Sequence, residues 1–175
     1  MTEYRRGTDG SGFLAIRDMA TDDLHEVLRI ERSSFPNPWT EGMLLDELSS
    51  SCCVSRAAFC DGAVVGYCSF SLVLDEAHLR SIAVDGSFRG RGVASELLAD
   101  MIGISLERGA RWAALEVRPS NRSAVSLYNR FGFRVTGVRP RYYADTREDA
   151  LIMWADLTRS CPSPAKGLTG SDEAG

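Results

Sequence analysis

A glycine-rich loop, Arg89-Gly90-Arg91-Gly92-Val93-Ala94, stands between an apolar strand pattern and an amphipathic helix pattern. The first backbone N–H groups of such a helix have no intrahelical partner and lie at the positive end of its dipole. Glycines let the main chain approach a phosphate closely, and Arg89 and Arg91 add positive charge. The chain is therefore expected to contain a strand-loop-helix unit that holds a pyrophosphate.

Other folds with phosphate-binding loops match this chain less well. GRGVAS is one residue short of the dinucleotide fingerprint GxGxxG, and a doubly wound sheet needs more strand-helix-strand units than follow the loop. A P-loop is excluded, because Lys-Ser/Thr does not follow the second glycine. The spacing of the glycines alone also fits a surface turn that binds no ligand, and this alternative stays open.

The remaining patterns place this loop in a mixed α/β sheet. Thr21 is expected to cap a first helix and Thr40 a second, with a break at Pro36 and Pro38 between them. Asp61-Gly62 predicts a hairpin turn. Predicted strands cover 12–17, 52–60, 63–74, 78–84, 111–117, 133–139 and 150–157, and further helices cover 93–106 and 122–131. This order predicts a mostly antiparallel sheet flanked by helices in a single domain.

Composition bounds the function classes. The 175 residues carry a formal net charge of −4, which gives no basic footprint for nucleic acid. No run is long and apolar enough for a membrane span, and the N-terminus lacks a signal-peptide pattern, so a cytoplasmic protein is expected. The polar segments 1–12 and 159–175 are predicted to be flexible tails around a domain at 13–158. The cysteines, at positions 52, 53, 60, 68 and 161, show no metal-binding spacing and are interpreted as buried free thiols, with no metal expected.

Several segments resemble a known family. The loop and the preceding Ser81-Ile82-Ala83-Val84-Asp85 resemble the acyl-CoA pyrophosphate loop and fourth strand of the GCN5-related N-acetyltransferase (GNAT) superfamily. SSFPNPW, VLDEAHLRSIAV, LEVRPSNRSAVSLYNRFGF and RPRYYADTREDALIMWADL resemble its bacterial ribosomal-protein alanine N-acetyltransferase (RimI-like) branch. Gly86 departs from the proline that the family commonly has there.

The resemblance implies acetyl-CoA as co-substrate. The run Arg89 to Ala94 would hold its pyrophosphate, and Asn121, at a helix N-cap position, would also contact CoA. The backbone of Ile82, Ala83 and Val84 would pair with the pantetheine arm like an added strand.

The resemblance also implies the catalytic pair, with Glu116 as general base and Tyr128 as general acid. The chemical types fit acyl transfer, since a carboxylate accepts the amine proton and a phenol can return one to the thiolate. Each residue has another interpretation: Glu116 as a solvated strand residue, and Tyr128 as a core residue. His78 is interpreted as structural.

By the same resemblance an N-terminal peptide would lie between SSFPNPW and the RYYAD segment, walled by Trp39, Tyr142 and Tyr143, unless these rings only pack on the core. The implied acceptor is the N-terminal alanine of small-subunit ribosomal protein 18. A broad-specificity N-terminal or small-amine acetyltransferase and a non-catalytic acyl-CoA-binding module stay open. The oligomeric state stays open, with a monomer as one alternative.

Overall fold

Eight strands and four helices form one mixed α/β unit in the computed structural model, which describes residues 2–4 and 14–159. The strands are β1 (Thr2–Tyr4), β2 (Leu14–Asp18), β3 (Cys53–Cys60), β4 (Ala63–Val73), β5 (Glu76–Val84), β6 (Trp112–Val117), β7 (Arg134–Tyr143) and β8 (Glu148–Asp156); the helices are α1 (Leu24–Ser34), α2 (Glu41–Ser49), α3 (Val93–Glu107) and α4 (Arg122–Arg130). The sheet order is β1-β2-β3-β4-β5-β6-β8-β7, and among the described strands only the β5–β6 pair is parallel. The predicted fold class is therefore confirmed.

The N-terminal segment differs from its predicted description. Thr2–Tyr4, within the segment 1–12 that the sequence predicts as a tail, pairs antiparallel with β2 and adds a strand at the edge of the sheet. Because an edge strand offers unpaired backbone groups, even a short polar segment can add to it. The remainder of 1–12, and 160–175 of the predicted C-terminal tail, lie outside the described residues.

Local signals set most of the turns and caps. Asp61 and Gly62 both have positive φ, at 50° and 84°, and join β3 to β4 as predicted. The Thr40 side chain accepts a hydrogen bond from the Met43 N–H and caps α2. Thr21 as the cap of the first helix was wrong: it opens a 3₁₀ turn, and the Asp23 carboxylate accepts from the Ala20 N–H instead.

Helices cover both faces of the sheet. The side chains of α3 and α4 pack with one cluster of sheet residues, and those of α1 and α2 pack with another; the neighbours Tyr67 and Cys68 on β4 point into opposite clusters. Gly66 allows α3 to approach closely, because a Cβ there would lie 3.0 Å from the Ala83 carbonyl oxygen and 3.2 Å from a Val93 methyl carbon. The N-terminus of α3 is thereby brought against β5.

The parallel pair β5–β6 opens into a cleft. Only Glu76–His78 pairs with Trp112–Ala114, although both strands continue beyond these residues. A bulge in the β4–β5 ladder leaves Arg80 as an extra residue between Leu79 and Ser81. The carboxyl-terminal parts of β5 and β6 therefore have no strand between them and form the two edges of a cleft.

Two chemical expectations can be compared with the described residues. Cys68 is buried, but Cys53 and Cys60 are only partly buried and Cys52 is exposed, so the interpretation of all the cysteines as buried thiols was wrong. The side chain of Cys52 lies in the turn before β3, where the core does not reach. Cys161 lies outside the described residues.

In the described ranges no helix has the length and hydropathy of a membrane span, and no cluster of side chains has the make-up of a metal site.

Candidate active site

The cleft between β5 and β6 includes the predicted loop in its lining and has a volume of about 1960 Å³. Its floor comes from β5 and β6, and its rims come from the α1–α2 segment, the loop before α3, the start of α4 and the end of β7. It brings together every residue that the sequence singled out for function: Trp39, Ile82, Ala83, Val84, Arg89, Gly90, Arg91, Gly92, Val93, Ala94, Glu116, Asn121, Tyr128, Tyr142 and Tyr143.

The glycine-rich loop forms one end of the cleft. Gly90 and Gly92 have φ values of +75° and +87°, a conformation that other residues adopt only with strain, and Gly92 is the residue before α3. The first N–H groups of α3 therefore point toward the cleft end with no helical partner. Arg89 folds back, since its guanidinium donates to the Val84 carbonyl at 3.1 Å and to the Ser34 hydroxyl at 3.2 Å. Arg91 lies over the Phe88 ring and is the freer of the two cations.

The edge of β5 offers main-chain groups to the cleft. The Asp85 N–H donates to the Val65 carbonyl of β4, and the alternation of an antiparallel ladder then directs the Ala83 groups toward β4 as well. The N–H and C=O groups of Ile82 and the N–H of Val84 face the cleft, while the Val84 carbonyl accepts from Arg89. Within the predicted run, Ile82 and Val84 are thus placed to pair with an extended ligand, whereas the Ala83 side chain packs in the cluster with α1 and α2.

Glu116 stands on the opposite edge, on β6. Its neighbours Leu115 and Val117 are buried, whereas its own side chain is 32% exposed. One carboxylate oxygen lies 3.5 Å from a guanidinium nitrogen of Arg139 on β7. A carboxylate that is solvated on one side and loosely paired on the other is free to accept a proton.

Tyr128 approaches the cleft from α4. Its ring is buried against Phe133, at a centroid distance of 5.9 Å, and the side chain is 5% exposed. Burial raises the pKa of its phenol above the usual value, so the hydroxyl keeps its proton at neutral pH. Every fully buried side-chain polar atom in the described residues has a hydrogen-bond partner, and none of those bonds involves this hydroxyl, so it faces the cleft.

Aromatic rings and one arginine shape the remaining rim. Tyr142 and Tyr143 meet edge to face at 5.2 Å, after a bulge at Arg141 whose φ is +50°. The Arg118 guanidinium lies 3.7 Å from the centre of the Tyr143 ring and donates to both oxygens of Asp145. The turn between β7 and β8 is thereby fixed beside the end of β6. Trp39 on the facing α1–α2 segment is half-buried.

Comparison with known proteins gives this arrangement a family. Residues 24–133 match the model of the acetyltransferase (GNAT) family. The chain belongs to the GNAT acetyltransferases. Enzymes of this family use acetyl-CoA, and the matched segment includes the glycine-rich loop and both predicted catalytic residues.

Individual relatives place the acetyltransferase within a narrower group. A Bacillus subtilis (strain 168) protein, to which ribosomal protein bS18-alanine N-acetyltransferase activity is assigned provisionally by name, is 38% identical over 144 residues, which are 82% of this chain and 95% of the relative. The Escherichia coli (strain K12) ribosomal protein bS18-alanine N-acetyltransferase is 34% identical over 140 residues, 79% of this chain and 94% of the relative.

Solved structures agree with this grouping. The crystal structure of the E. coli ribosomal-protein-S18-alanine N-acetyltransferase superposes with a TM-score of 0.78 at 31% identity, covering 86% of this chain and 98% of that one. Ard1 from Thermoplasma volcanium superposes with a TM-score of 0.75 at 31% identity, covering 82% and 97%.

Some cleft residues of the acetyltransferase carried no sequence signal strong enough to predict them. Arg118 precedes the helix cap in the quoted motif, but its partners lie some 28 positions away, so spacing could not reveal the contact. Glu31 had a weak signal, because it continues the buried face of Leu24, Val27 and Leu28 on α1, where an apolar residue is expected. His78 lines the cleft, bonds to Glu76 and meets the Trp154 ring edge to face at 5.9 Å.

Proposed function

We propose that the chain transfers the acetyl group of acetyl-CoA to the α-amine of a protein N-terminus, specifically the N-terminal alanine of ribosomal protein bS18. The observation that carries the proposal is the single cleft in which a carboxylate, a protonated phenol and an anion-binding helix end meet. The relatives named for this activity, matched over nearly their whole length, support the choice of acceptor.

The acetyl-CoA side of the cleft runs from the glycine-rich loop to the middle of β5. The N–H groups that open α3 and the charge of Arg91 bind the pyrophosphate, and Arg89 keeps the loop attached to β5. Ile82 and Val84 pair with the amide groups of the pantetheine arm. Asn121 caps α4 by accepting from the Ala124 N–H and leaves its amide nitrogen available to the ligand.

The chemistry needs one proton removed and one supplied. Glu116 takes a proton from the acceptor ammonium, directly or through water, and the neutral amine then forms a C–N bond with the thioester carbonyl carbon. As the C–S bond breaks, Tyr128 gives its phenolic proton to the leaving thiolate. The amine's second proton goes to solvent, from which Tyr128 is reprotonated, and Glu116 releases the proton that it took to solvent before the next turnover.

Two other functions use the same fold. A broad-specificity or small-amine acetyltransferase would keep the loop and the catalytic pair but need no long acceptor slot. A non-catalytic acyl-CoA-binding module would need neither Glu116 nor Tyr128. The cleft, with a volume of about 1960 Å³, extends beyond the acyl-CoA side to Trp39 and Tyr142, and this extent favours an extended peptide acceptor over a small amine.

A peptide panel tests the proposal. The purified protein is incubated with acetyl-CoA and one acceptor at a time. The acceptors are a hexapeptide that begins with the bS18 sequence, the same hexapeptide altered at its first residue, hexapeptides of unrelated sequence, and polyamines. We expect mass spectrometry to find one acetyl group on the α-amine of the bS18 peptide, at the highest kcat/KM of the panel. Glu116→Gln, which removes the base, is the control and should lower that rate by a factor of about 10² or more. Acetylation confined to polyamines would refute the peptide assignment.

A further inference from the structure

A buried carboxyl group lies directly behind the acceptor rim. Glu31 on α1 is 1% exposed, yet no cationic side chain of the described residues acts on it, and burial raises its pKa above the usual value. A carboxyl group in an apolar setting is costly unless its hydrogen bonds are satisfied. Its partners therefore indicate what it holds in place.

The two oxygens of Glu31 contact different elements. Oε1 accepts from the Trp39 backbone N–H at 2.9 Å, eight residues along the chain and beyond both prolines. Oε2 accepts from the hydroxyl of Tyr67, a fully buried residue of β4. The Tyr67 hydroxyl also bonds to the Ser81 hydroxyl on β5 at 2.7 Å.

This chain of bonds connects the two halves of the cleft. Trp39 belongs to the rim on the acceptor side, whereas Ser81 immediately precedes Ile82, whose backbone faces the acyl-CoA side. Prolines at 36 and 38 remove backbone donors from the segment, so it has few main-chain bonds of its own to hold it. Glu31 accepts from the main chain at the far end of this segment, where the Arg80 guanidinium also lies 5.9 Å from the centre of the Trp39 ring.

We propose that Glu31 is a positioning residue for acceptor specificity, which anchors the Trp39 segment to β5 through Tyr67 and Ser81 and so sets the width of the acceptor slot. The substrate part of this inference rests on the proposed function. The anchor itself does not.

Substitutions at Glu31 separate anchoring from mere burial. Glu31→Gln keeps an oxygen for the Trp39 N–H, and its amide can donate to the Tyr67 oxygen. The Tyr67 hydroxyl, which no longer donates to residue 31, is then free to donate to Ser81. Glu31→Leu fills the same space without any hydrogen bond. Glu31→Asp keeps the carboxylate but shortens the side chain by one methylene, which moves the carboxylate away from the Trp39 N–H. This variant provides the test if the leucine variant does not fold.

Two readouts apply to each variant. For Glu31→Leu and Glu31→Asp we expect the KM of the acceptor peptide to rise by about tenfold, with the KM of acetyl-CoA little changed. Amide hydrogen exchange in residues 35–40 should become faster in the same two variants. Glu31→Gln should behave as wild type in both measurements.

The matched control is Asp23→Asn, at another buried carboxylate, which lies before α1 and outside the cleft and accepts from Arg17 and from the Ala20 N–H. It should lower Tm without changing the ratio of the two KM values or the exchange of 35–40. Any one of three outcomes would overturn the inference. They are equal rises in both KM values for Glu31→Leu and Glu31→Asp, unchanged amide exchange in residues 35–40 of these variants, or a Glu31→Gln variant as impaired as Glu31→Leu. If the wild type acetylates no peptide, the proposed function fails, while the exchange measurement still decides whether Glu31 anchors the segment.

Discussion

The Tyr128 side chain has a buried ring and a hydroxyl group that forms no hydrogen bond with another side chain of the described residues. Tyr128→Phe should therefore lower kcat by a factor of about 10²–10⁴ while changing the free energy of unfolding by less than about 0.5 kcal/mol. Because the pKa of the phenol is raised, wild-type activity should not fall near pH 10 through loss of this proton. Steady-state kinetics and urea unfolding measure the two effects. A phenylalanine variant with wild-type turnover would exclude Tyr128 as the acid.

At the scale of single residues, the family motifs predicted more of the functional residues than hydrophobic periodicity did. Strand alternation placed Glu116 outside the core, and the family motif assigned its role, but nothing in the sequence indicated the ion pair with Arg139. Glu31 is the clearest case of a cleft residue that the sequence did not predict, because its role depends on a hydrogen bond from Tyr67, which is 36 residues away. Contacts between side chains of distant elements exist only after the sheet has formed, so a local pattern cannot reveal them.

At the scale of elements, Arg118 connects the end of β6 to the turn between β7 and β8. Its guanidinium donates to Thr146 and to both oxygens of Asp145, and it lies over the Tyr143 ring. The guanidinium lowers the pKa of the Asp145 carboxyl, so the contact persists well into the acidic range and is lost only as pH falls through that lowered value. Arg118 thus connects the end of β6 to the turn that follows the acceptor-side tyrosines, beside the bonds that Ser120 donates to Glu148.

Arg118→Lys should release this turn, because an ammonium group cannot donate to all three oxygens in the same plane. We expect the KM of the acceptor peptide to rise by about tenfold and the KM of acetyl-CoA to stay within about twofold. Arg111→Lys is the matched control, since Arg111 also lies over a ring, Trp112, and near a carboxylate, Asp156, but at the other end of β6. Equal kinetics for the two lysine variants would contradict the assignment.

Turn and cap chemistry predicted the elements well, because it is local. Asp61-Gly62, Thr40 and Asn121 each act on residues within three or four positions. The divergence of β5 from β6 is different, since the bulge at Arg80 arises from the register between β4 and β5 and the bounds of both strands were predicted without it. The cleft itself therefore followed from the family resemblance and not from the predicted elements.

At the scale of the whole molecule, one buried ion pair connects a helix to the sheet. Arg56 on β3 donates to Asp100 on α3 at 2.7 and 3.3 Å, and both side chains are almost fully buried. It also donates to Asp18 at the end of β2, whose side chain is 85% exposed. The position of α3 relative to the sheet matters for function, because the N-terminus of this helix forms the end of the cleft.

Arg56→Met should leave the Asp100 carboxylate buried without a partner, and such breaks cost about 3–5 kcal/mol. For a domain of this size that lowers Tm by roughly 6–20 °C. Asp18→Asn, which removes only the exposed partner, should change stability by less than about 0.5 kcal/mol. The double variant Arg56→Met/Asp100→Leu should recover much of the loss, because it removes the orphaned charge together with its partner. Calorimetry on the four proteins measures these differences, and a double variant less stable than Arg56→Met would mean that the pair itself, and not the isolated charge, determines how α3 is held.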